Sequence, residues 1–547
     1  MATLEGSRPT SAPEEYYEEK EHPKALEPGI LLMNVLLSIV GAIIGMQIIT
    51  TLGVTPNTAI IGVLVAIAVS RVPLSFLSRF RSVHRQNLVQ SNISSSTFGA
   101  ANCLLLPIGI PVLMGRPELV TPVFIGATMG MLVDLVMLYW LFDTRIFAGR
   151  NAWPPGIAAA EAIIAGDKGG KRAGLLVVGT VVGIAGSYLG VSMSAFGVAF
   201  IGNIFALSMF GVGLLIRGYS VPLLAVDINA LYIPHGMMVG AGLVALIQII
   251  IILSRRRADL KAIAAETGAA GGLTRTEGDL ASGIAKGLAL YLVAAVILCL
   301  ITGITNEMST GMVVVWVVFA ALACVVAEFI VGLSAMHAGW FPAFATALIF
   351  LTLGMLMGFP ATALAVLVGF VASGGPAFAD AGYDLKAGHY LRGGGRNRAF
   401  EMSGRLQQII AGFIGLAVAW VMVALFRDMY FSQDLFPPVD RVYATTIKAG
   451  VDPTVVQALA LWAVPGALVQ AIGGPDRQMG ILLATGLLIM NPLAGWAVLV
   501  GIAIRVVCLK LYGTKAESPL TIFGAGCIAG DALYGFFNSV LKAKWRF

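Results

Sequence analysis

The stretch from residue 328 to residue 389 is an apolar tract that is interrupted at a few positions by ionisable residues and prolines. Apolar runs of this length belong in lipid, where an unpaired ionisable side chain is costly. Glu328 and His337 inside the tract therefore need a reason to be there. Pro342 and Pro376 predict broken helices, which membrane carriers use to expose backbone groups near the midplane. The tract predicts a polar site embedded in a membrane.

The composition of the whole chain agrees with a membrane protein. Of 547 residues, 58% are hydrophobic and 12% are charged, and the mean hydropathy is +0.88. Soluble domains carry about 25% charged residues, so the composition argues against a soluble multidomain enzyme. The five cysteines form no Cys-x-x-Cys pair and show no metal-ligand spacing. We therefore predict packing cysteines, no metal site and no bound cofactor.

Windows of about 20 apolar residues mark candidate membrane spans along the chain. The candidates are residues 30–50, 57–77, 95–115, 119–142, 173–192, 193–216, 230–254, 284–305, 311–332, 335–357, 359–375, 404–426, 451–473, 478–511 and 519–541.

Basic clusters between these spans are expected on the cytoplasmic side. Three candidates between Arg172 and Arg255 cannot leave both of these residues on one side, so PPGIAAAEAIIAG or RGYSVPLLAVDINALYIPHG must re-enter the membrane or cross it in broken form. We predict an all-α polytopic protein of the cell inner membrane with about 16 transmembrane or re-entrant helices and cytoplasmic termini.

Polar segments suggest a division of the chain. Residues 1–29 are acidic and lack the features of a cleavable secretory signal, which predicts a disordered tail. The polar residues 255–283 predict a cytoplasmic linker between transmembrane bundles of residues 30–254 and 284–541, and residues 542–547 form a basic tail. Two pseudo-repeated bundles are a hypothesis, which a symmetric arrangement of helices would decide.

The first polar constellation is NAWPPGIAAAEAI at residues 151–163. Pro154 and Pro155 are tolerated only in the first turn of a helix, so Glu161 lies about two turns inside an apolar helix. A carboxyl group there must be neutral, paired or in contact with water. The alternative is an interfacial helix whose Glu161 faces solvent.

The second constellation lies at residues 221–248. Pro222 and Pro234 predict a helix between them that is too short to span, with Asp227 in its middle and His235 just past its end. Such a half-helix can point its positive end at an anionic group. The alternative is that Asp227 caps a helix and His235 is a packing residue.

The third constellation is the opening tract. In an unbroken helix the side chains of Glu328 and His337 point about 180° apart, so we do not expect a direct pair. A buried Glu and a His are the titratable groups that a proton-coupled carrier needs, although each can instead be satisfied separately by helix packing. The segment SGGPAFADAGYDLKAGH predicts an exit from the membrane, with Asp380 as a binding candidate and Asp384 and Lys386 at the surface.

Other membrane-depth polar residues fit a cavity or helix packing. Asp134 and Asp531 are well placed for a polar cavity. The neutral polar residues 87–97 suit a peptide-like ligand, and hydrogen bonding between helices explains them nearly as well.

At these residues the sequence resembles the prokaryotic members of the oligopeptide transporter family, which also contains the yellow stripe-like transporters. The matching stretches are AAAE at 158–161, YIPHGMMVGAGLVALIQ at 232–248, GLSAMHAGWFPAFA at 332–345 and GPAFADAGYDLKAG at 375–388. The resemblance implies a multi-pass secondary carrier that imports small peptides, peptide derivatives or metal chelates, with proton coupling. The eukaryotic Asn-Pro-Gly element appears only as Asn491-Pro492-Leu493 and Lys-Ile-Pro-Pro-Arg is missing, so the resemblance does not choose the cargo.

We therefore predict a secondary active, proton-coupled importer and not an enzyme. The predicted coupling or substrate-binding residues are Glu161, Asp227, His235, Glu328, His337 and Asp380. No G-x-x-x-x-G-K-[ST] loop is present, which argues against ATP drive. An ion channel and an intramembrane enzyme are the alternatives, although the sequence shows no filter-like repeat and its histidines are scattered. The expected partners are a small-molecule substrate and the lipid bilayer but no nucleic acid, and a homodimer is left open.

Overall fold

The structure is a computed structural model that describes residues 17–52, 81–254, 272–339, 341–450 and 453–542. These residues form helices without a β-strand, and the α-helices are numbered here in chain order. They are α1 Pro28–Leu52, α2 Val83–Phe98, α3 Leu106–Leu113, α4 Val120–Leu141, α5 Pro154–Lys168, α6 Gly170–Tyr188, α7 Met193–Val198, α8 Ile204–Leu224, α9 Ile233–Ser254, α10 Glu277–Thr302, α11 Thr310–Ala338, α12 Ala343–Leu356, α13 Ala361–Leu391, α14 Arg398–Ser432, α15 Pro438–Ala449, α16 Pro453–Arg477, α17 Met479–Leu488, α18 Pro492–Tyr512 and α19 Glu517–Lys542.

Ten helices among the described residues are long and apolar enough to cross a membrane. The prediction of a polytopic all-α membrane protein is confirmed. The candidate span 57–77 and most of the predicted linker lie outside the described residues.

Two predicted spans are each divided into two helices. Candidate 193–216 is the short α7 followed by α8, and candidate 478–511 is α17 followed by α18. At the first break the guanidinium of Arg505 donates to the carbonyl oxygens of Ala199 and Gly202, at 3.2 and 2.7 Å. These bonds satisfy carbonyl groups that a broken helix leaves without an intrahelical partner.

The predicted short helix between Pro222 and Pro234 is wrong. Pro222 lies inside the last turns of α8, Pro234 lies in the first turn of α9, and residues 225–232 form the turns between them. Proline is tolerated at the second position, because the amide of a first-turn residue has no intrahelical partner.

The predicted surface position of Asp384 and Lys386 is also wrong. Helix α13 continues through Pro376 to Leu391, and both Asp384 and Lys386 are buried instead of lying at the surface. A proline does not end a membrane helix when neighbouring helices satisfy the freed backbone groups. The predicted break before Pro342 is present, because α11 ends at Ala338 and α12 begins at Ala343.

Helices from both sides of the predicted linker pack against each other. One group contains α1, α2 and α4 with α10, α11, α13 and α14, and another contains α6 to α9 with α16 to α19. Small residues bring the second group close together: a Cβ atom on Gly183 of α6 would lie 2.5 Å from the carbonyl oxygen of Cys527 in α19. Such close backbone contacts are typical of helix pairs in lipid. The bundle boundaries at residues 254 and 284 stay a prediction.

Residues 17–27 lie against the helices, which differs from the disordered tail predicted for residues 1–29. Ser82 donates a hydrogen bond to Glu19, and His22 is buried. Burial, followed by the charge of Arg392, lowers the pKa of His22 to about 3. The imidazole is therefore neutral near pH 7, and its ring packs against that of Phe400, with ring centres 5.4 Å apart.

Candidate functional site

Helix α13 carries a row of buried polar side chains that contact neighbouring elements. Asp380 accepts a 2.5 Å hydrogen bond from the Ser94 hydroxyl, and Asp384 accepts one of 2.5 Å from the Gln90 amide. Both donors lie on α2. Lys386, two residues further along α13, donates to the carbonyl oxygen of Gly149 at 2.8 Å. The sequence predicted a binding role for Asp380, which stays a prediction, and the structure shows Ser94 of α2 as a hydrogen-bond donor to it.

Several other polar residues of α2 connect helices. Asn92 donates to the carbonyl oxygen of Ala411 at 2.9 Å and accepts from the Ser38 hydroxyl at 2.6 Å. The Gln408 amide donates to the Ser91 hydroxyl at 3.1 Å. These contacts favour interhelical hydrogen bonding as the role of this stretch.

Glu328 belongs to a carboxyl pair, which we define as Asp134 and Glu328 with the Tyr291 hydroxyl between them. Asp134 lies on α4, Tyr291 on α10 and Glu328 on α11, and all three side chains are fully buried. Tyr291 is hydrogen-bonded to both carboxyl groups. Neither acid forms an ion pair with Lys or Arg among the described residues. A phenol has one hydrogen, so the Tyr291 hydroxyl can donate fully to only one of the two carboxyl groups. Two buried acids around one hydroxyl form a setting in which they can share a proton.

Glu161 has a different environment. The Arg172 guanidinium donates to both of its carboxylate oxygens, at 2.9 and 2.6 Å, and the Tyr390 hydroxyl donates to one of them at 2.7 Å. A bidentate pair of this kind stabilises the ionised carboxylate. The sequence left a neutral, a paired and a water-contacting carboxyl group open, and the structure shows the paired one, with Arg172 as its partner.

A second group of charges forms an ion-pair network, which we define as Asp143, Arg392, Glu401 and Arg405 with His389. Glu401 accepts hydrogen bonds from Arg392 at 2.8 Å and from Arg405 at 2.6 Å, and it contacts His389 at 3.1 Å. Arg405 also donates to Asp143 at 3.1 Å. All five side chains are buried.

Asp143 follows the end of α4 and fixes the segment that leads to α10. The backbone amide and hydroxyl of Thr274 donate to its carboxylate, at 2.9 and 2.5 Å. Burial opposes ionisation, but the charges of His389 and Arg405 together with the Thr274 hydrogen bonds outweigh it and hold the pKa of Asp143 below its ordinary value. The Asp143 carboxylate is therefore ionised near neutral pH.

A cavity of 180 Å³ lies where several helices break or begin, and we call it the proline-lined cavity. Its walls include Asn102 of the π-helical segment between α2 and α3, Phe341 before α12 and Pro376 within α13. Pro437 and Tyr443, at the start of α15, close the wall. This is the arrangement of discontinuous helices that carriers use near the membrane midplane.

The remaining predicted residues lie elsewhere. His337 is buried at the end of α11, close to the segment in which Trp153 donates to the carbonyl oxygen of Met336. His235 lies in the first turn of α9 at a separate cavity. The Asp227 side chain is 52% exposed and pairs with Arg217, so it lies outside both cavities.

Tyr291, Glu401 and Arg405 are parts of this polar structure that sequence reasoning missed. Glu401 and Arg405 lie four positions apart, a spacing that places both side chains on the same face of a helix. At the start of a helix this pattern predicts a solvent-exposed ion pair, not a buried one. Tyr291 lies in an apolar stretch where aromatic residues are ordinary packing residues. Among the described residues, no group of His, Cys, Asp or Glu side chains is suited to hold a metal ion.

Membrane-spanning helices, a buried polar row and a cavity at helix breaks define a multi-pass membrane protein of the transporter class. The family model described as OPT oligopeptide transporter protein matches residues 29–223 and 225–542. The chain belongs to the oligopeptide transporter family, which confirms the resemblance seen in the sequence. A search of curated proteins finds no match.

Proposed function

We propose that the chain imports small peptides as a secondary carrier and couples this import to protons. Family membership supports oligopeptide transport in general. The observation that carries the proposal is the proline-lined cavity. Helix breaks there leave backbone amide and carbonyl groups that a peptide can engage.

The lining of this cavity suits a short peptide. Asn102 contributes a polar side chain to the lining, and Phe341 and Phe344 provide apolar walls for a side chain. Asp380 lies four residues beyond Pro376 on α13. At the rise of an α-helix this is about 6 Å along the axis, where its carboxylate can attract a peptide amino group.

The size of the cavity limits the cargo. Its volume is 180 Å³. Sites for drug-sized ligands begin at about 300 Å³, so the smaller volume favours a small cargo.

The carboxyl pair is the proposed proton site. Together with Tyr291 it draws one residue from each of three helices, so gain or loss of its proton changes how α4, α10 and α11 pack. From Glu328, α11 runs about 15 Å to its last residue, Ala338. The break that follows leads to α12, whose first residues line the cavity. This helix gives a direct mechanical connection between proton site and cargo cavity.

Proton-coupled uptake is tested in proteoliposomes that contain the full chain and an internal pH dye. Labelled trialanine added outside should enter faster when the outside is acidic, and its uptake should acidify the interior. Glu328→Gln should reduce acidification at least tenfold while keeping counterflow of labelled peptide, because the cavity is intact. Peptide uptake without acidification in the unaltered protein, or unchanged coupling in Glu328→Gln, would contradict the proposed coupling.

Glu161→Gln is the matched control for burial of an acid. Because Glu161 is already paired with Arg172, we expect it to support helix packing and not proton transfer, so coupling should persist. Metal-chelate cargo, an inner-membrane location, cytoplasmic termini and a homodimer stay predictions. Adding ferric or nickel peptide chelates to the same liposomes tests the first of these.

A further inference from the structure

We infer that the protein has a second ligand-binding site, the His235 cavity, which takes an uncharged amide-bearing compound with an apolar side chain. The cavity has a volume of 270 Å³ and lies between α9, α12, α15 and α16. It is distinct from the proline-lined cavity, because the two share no lining residue.

His235 is the feature that points to a ligand. The residue is 8% exposed and lines the cavity, yet its Nδ1 has no hydrogen-bond partner among the described residues. Buried polar groups are nearly always hydrogen-bonded, so an imidazole left in this state indicates a partner that binds there. Tyr232, whose ring centre lies 5.8 Å from that of His235, has a left-handed backbone with φ of 55°. A non-glycine residue in this region is strained, which is common at ligand sites.

The other lining groups define the chemistry of the ligand. The hydroxyl hydrogens of Thr352 and Thr446 are used by the carbonyl oxygens of Leu348 and Val442, at 2.9 and 2.8 Å. These hydroxyls therefore offer lone pairs to the cavity, which accept from N–H groups of a ligand. No charged side chain lines the cavity among the described residues.

Apolar residues form the rest of the cavity wall and favour an apolar side chain on the ligand. They include Ile349 of α12 and Leu459 of α16. A ligand that fits both the hydroxyl-lined and the apolar parts of the wall carries an amide and an aliphatic or aromatic side chain. It carries no full charge, since a charge would be desolvated there without a counter-ion.

The two cavities lie at different levels along the same two helices. On α12, Phe344 lines the proline-lined cavity and Thr352 lines the His235 cavity. Eight residues of α-helix separate these levels by about 12 Å. On α15, Val439 lines the proline-lined cavity and Thr446 lines the His235 cavity, and seven residues separate them by about 10 Å. A ligand in the His235 cavity therefore contacts helices that also bound the proposed cargo site.

Direct binding to the purified full chain in lipid nanodiscs tests the inference without any transport step. The probes are N-acetyl-leucinamide, which is neutral, and its charged relatives N-acetyl-leucine and leucinamide. We expect saturable binding of the neutral probe by calorimetry, at least tenfold tighter than that of either charged probe. Absence of binding, or equal binding of all three, would overturn the assignment.

Variants locate the bound probe. Leu459→Trp fills the cavity and should abolish binding, whereas Leu461→Trp on the same helix should not, because Leu461 is 66% exposed on the outer surface. His235→Phe should weaken binding at least fivefold, and the isosteric Thr446→Val provides a second test if the tryptophan variant is misfolded. Phe341→Ala, which changes the wall of the proline-lined cavity, should leave binding unchanged. Loss of binding in Phe341→Ala together with normal binding in Leu459→Trp would place the probe in the other cavity and refute the inference, while leaving the proposed transport untouched.

Discussion

The carboxyl pair and the ion-pair network place fully buried acids in opposite electrostatic settings. Glu401 contacts two guanidinium groups, from Arg392 and Arg405. Glu328 shares a tyrosine hydroxyl with a second acid. Burial alone therefore does not show whether an acid can exchange a proton during a functional cycle. The neighbouring charges decide whether the acid can exchange a proton, because cations beside a carboxylate hold it ionised, whereas two acids around one hydroxyl can share a proton.

The largest expected effect comes from neutralising the acid at the centre of the network. Glu401→Gln leaves the buried guanidinium of Arg392 without a carboxylate and that of Arg405 with Asp143 alone, which should cost about 3–5 kcal/mol of the free energy of unfolding. Denaturant unfolding of the purified protein in detergent measures the change. Glu118→Gln is the control, because Glu118 pairs with Arg116 at an exposed position and its loss should leave stability unchanged. A Glu401→Gln protein as stable as the unaltered one would show that the ion-pair network does not stabilise the fold.

Asp143→Asn should have a smaller effect with a defined pH dependence. The Asp143 carboxylate accepts hydrogen bonds from Arg405 and Thr274. Charged hydrogen bonds of this kind should contribute about 2 kcal/mol near pH 7. Because the pKa of Asp143 is lower in the folded protein, this contribution is present above the ordinary pKa of 3.8 and is lost as the pH falls through the folded value.

Thermal unfolding of the unaltered protein and of Asp143→Asn between pH 3 and pH 7 tests this pH dependence. The unaltered protein should lose stability toward the acid end more steeply than Asp143→Asn, and the two curves should converge there. Parallel curves would mean that Asp143 does not titrate with unfolding and that the network is held by other groups.

Sequence reasoning recovered the helices and the anomalous acids because both depend on local composition. Apolar length predicted α1, α4 and α10, and a charge inside an apolar run singled out Glu328. The partners were not predictable in this way. Tyr291 lies 37 residues before Glu328, and its contact depends on the register of two packed helices.

Arg392 is a basic residue whose contact partner was likewise not predictable from the sequence. It precedes three glycines and two further arginines, a pattern that predicts a solvent-exposed cytoplasmic cluster. The structure buries it against Glu401, nine residues later, because α13 and α14 fold back on each other. Whether a charged residue at a helix end is solvated depends on which neighbour covers it, and a single sequence does not contain that information.

Asp440 extends the comparison to a buried acid outside the membrane-spanning helices. Both of its carboxyl oxygens are buried without a hydrogen-bond partner among the described residues, and burial raises its pKa well above the ordinary value. A group with a raised folded pKa makes the protein less stable as the pH rises above the ordinary value of 3.8, the reverse of Asp143.

Asp440→Asn should therefore increase the free energy of unfolding near pH 7 by about 1 kcal/mol, since a neutral amide replaces a group that resists ionisation. The gain should shrink as the pH is lowered toward 4, which thermal unfolding at several pH values can follow. A loss of stability at neutral pH would instead indicate an unseen cation beside Asp440.

The smallest effect on stability is expected from replacing Arg172, which pairs with Glu161 at the edge of the buried region. Arg172 is 21% exposed and binds Glu161 through two parallel hydrogen bonds. Lysine keeps the charge but loses the bidentate geometry, so Arg172→Lys should cost only about 0.5 kcal/mol. If Glu161 serves packing and not proton transfer, the pH dependence of peptide uptake should be the same in Arg172→Lys and in the unaltered protein. A shifted pH profile in proteoliposomes would instead assign Glu161 to the titrating class, together with the carboxyl pair.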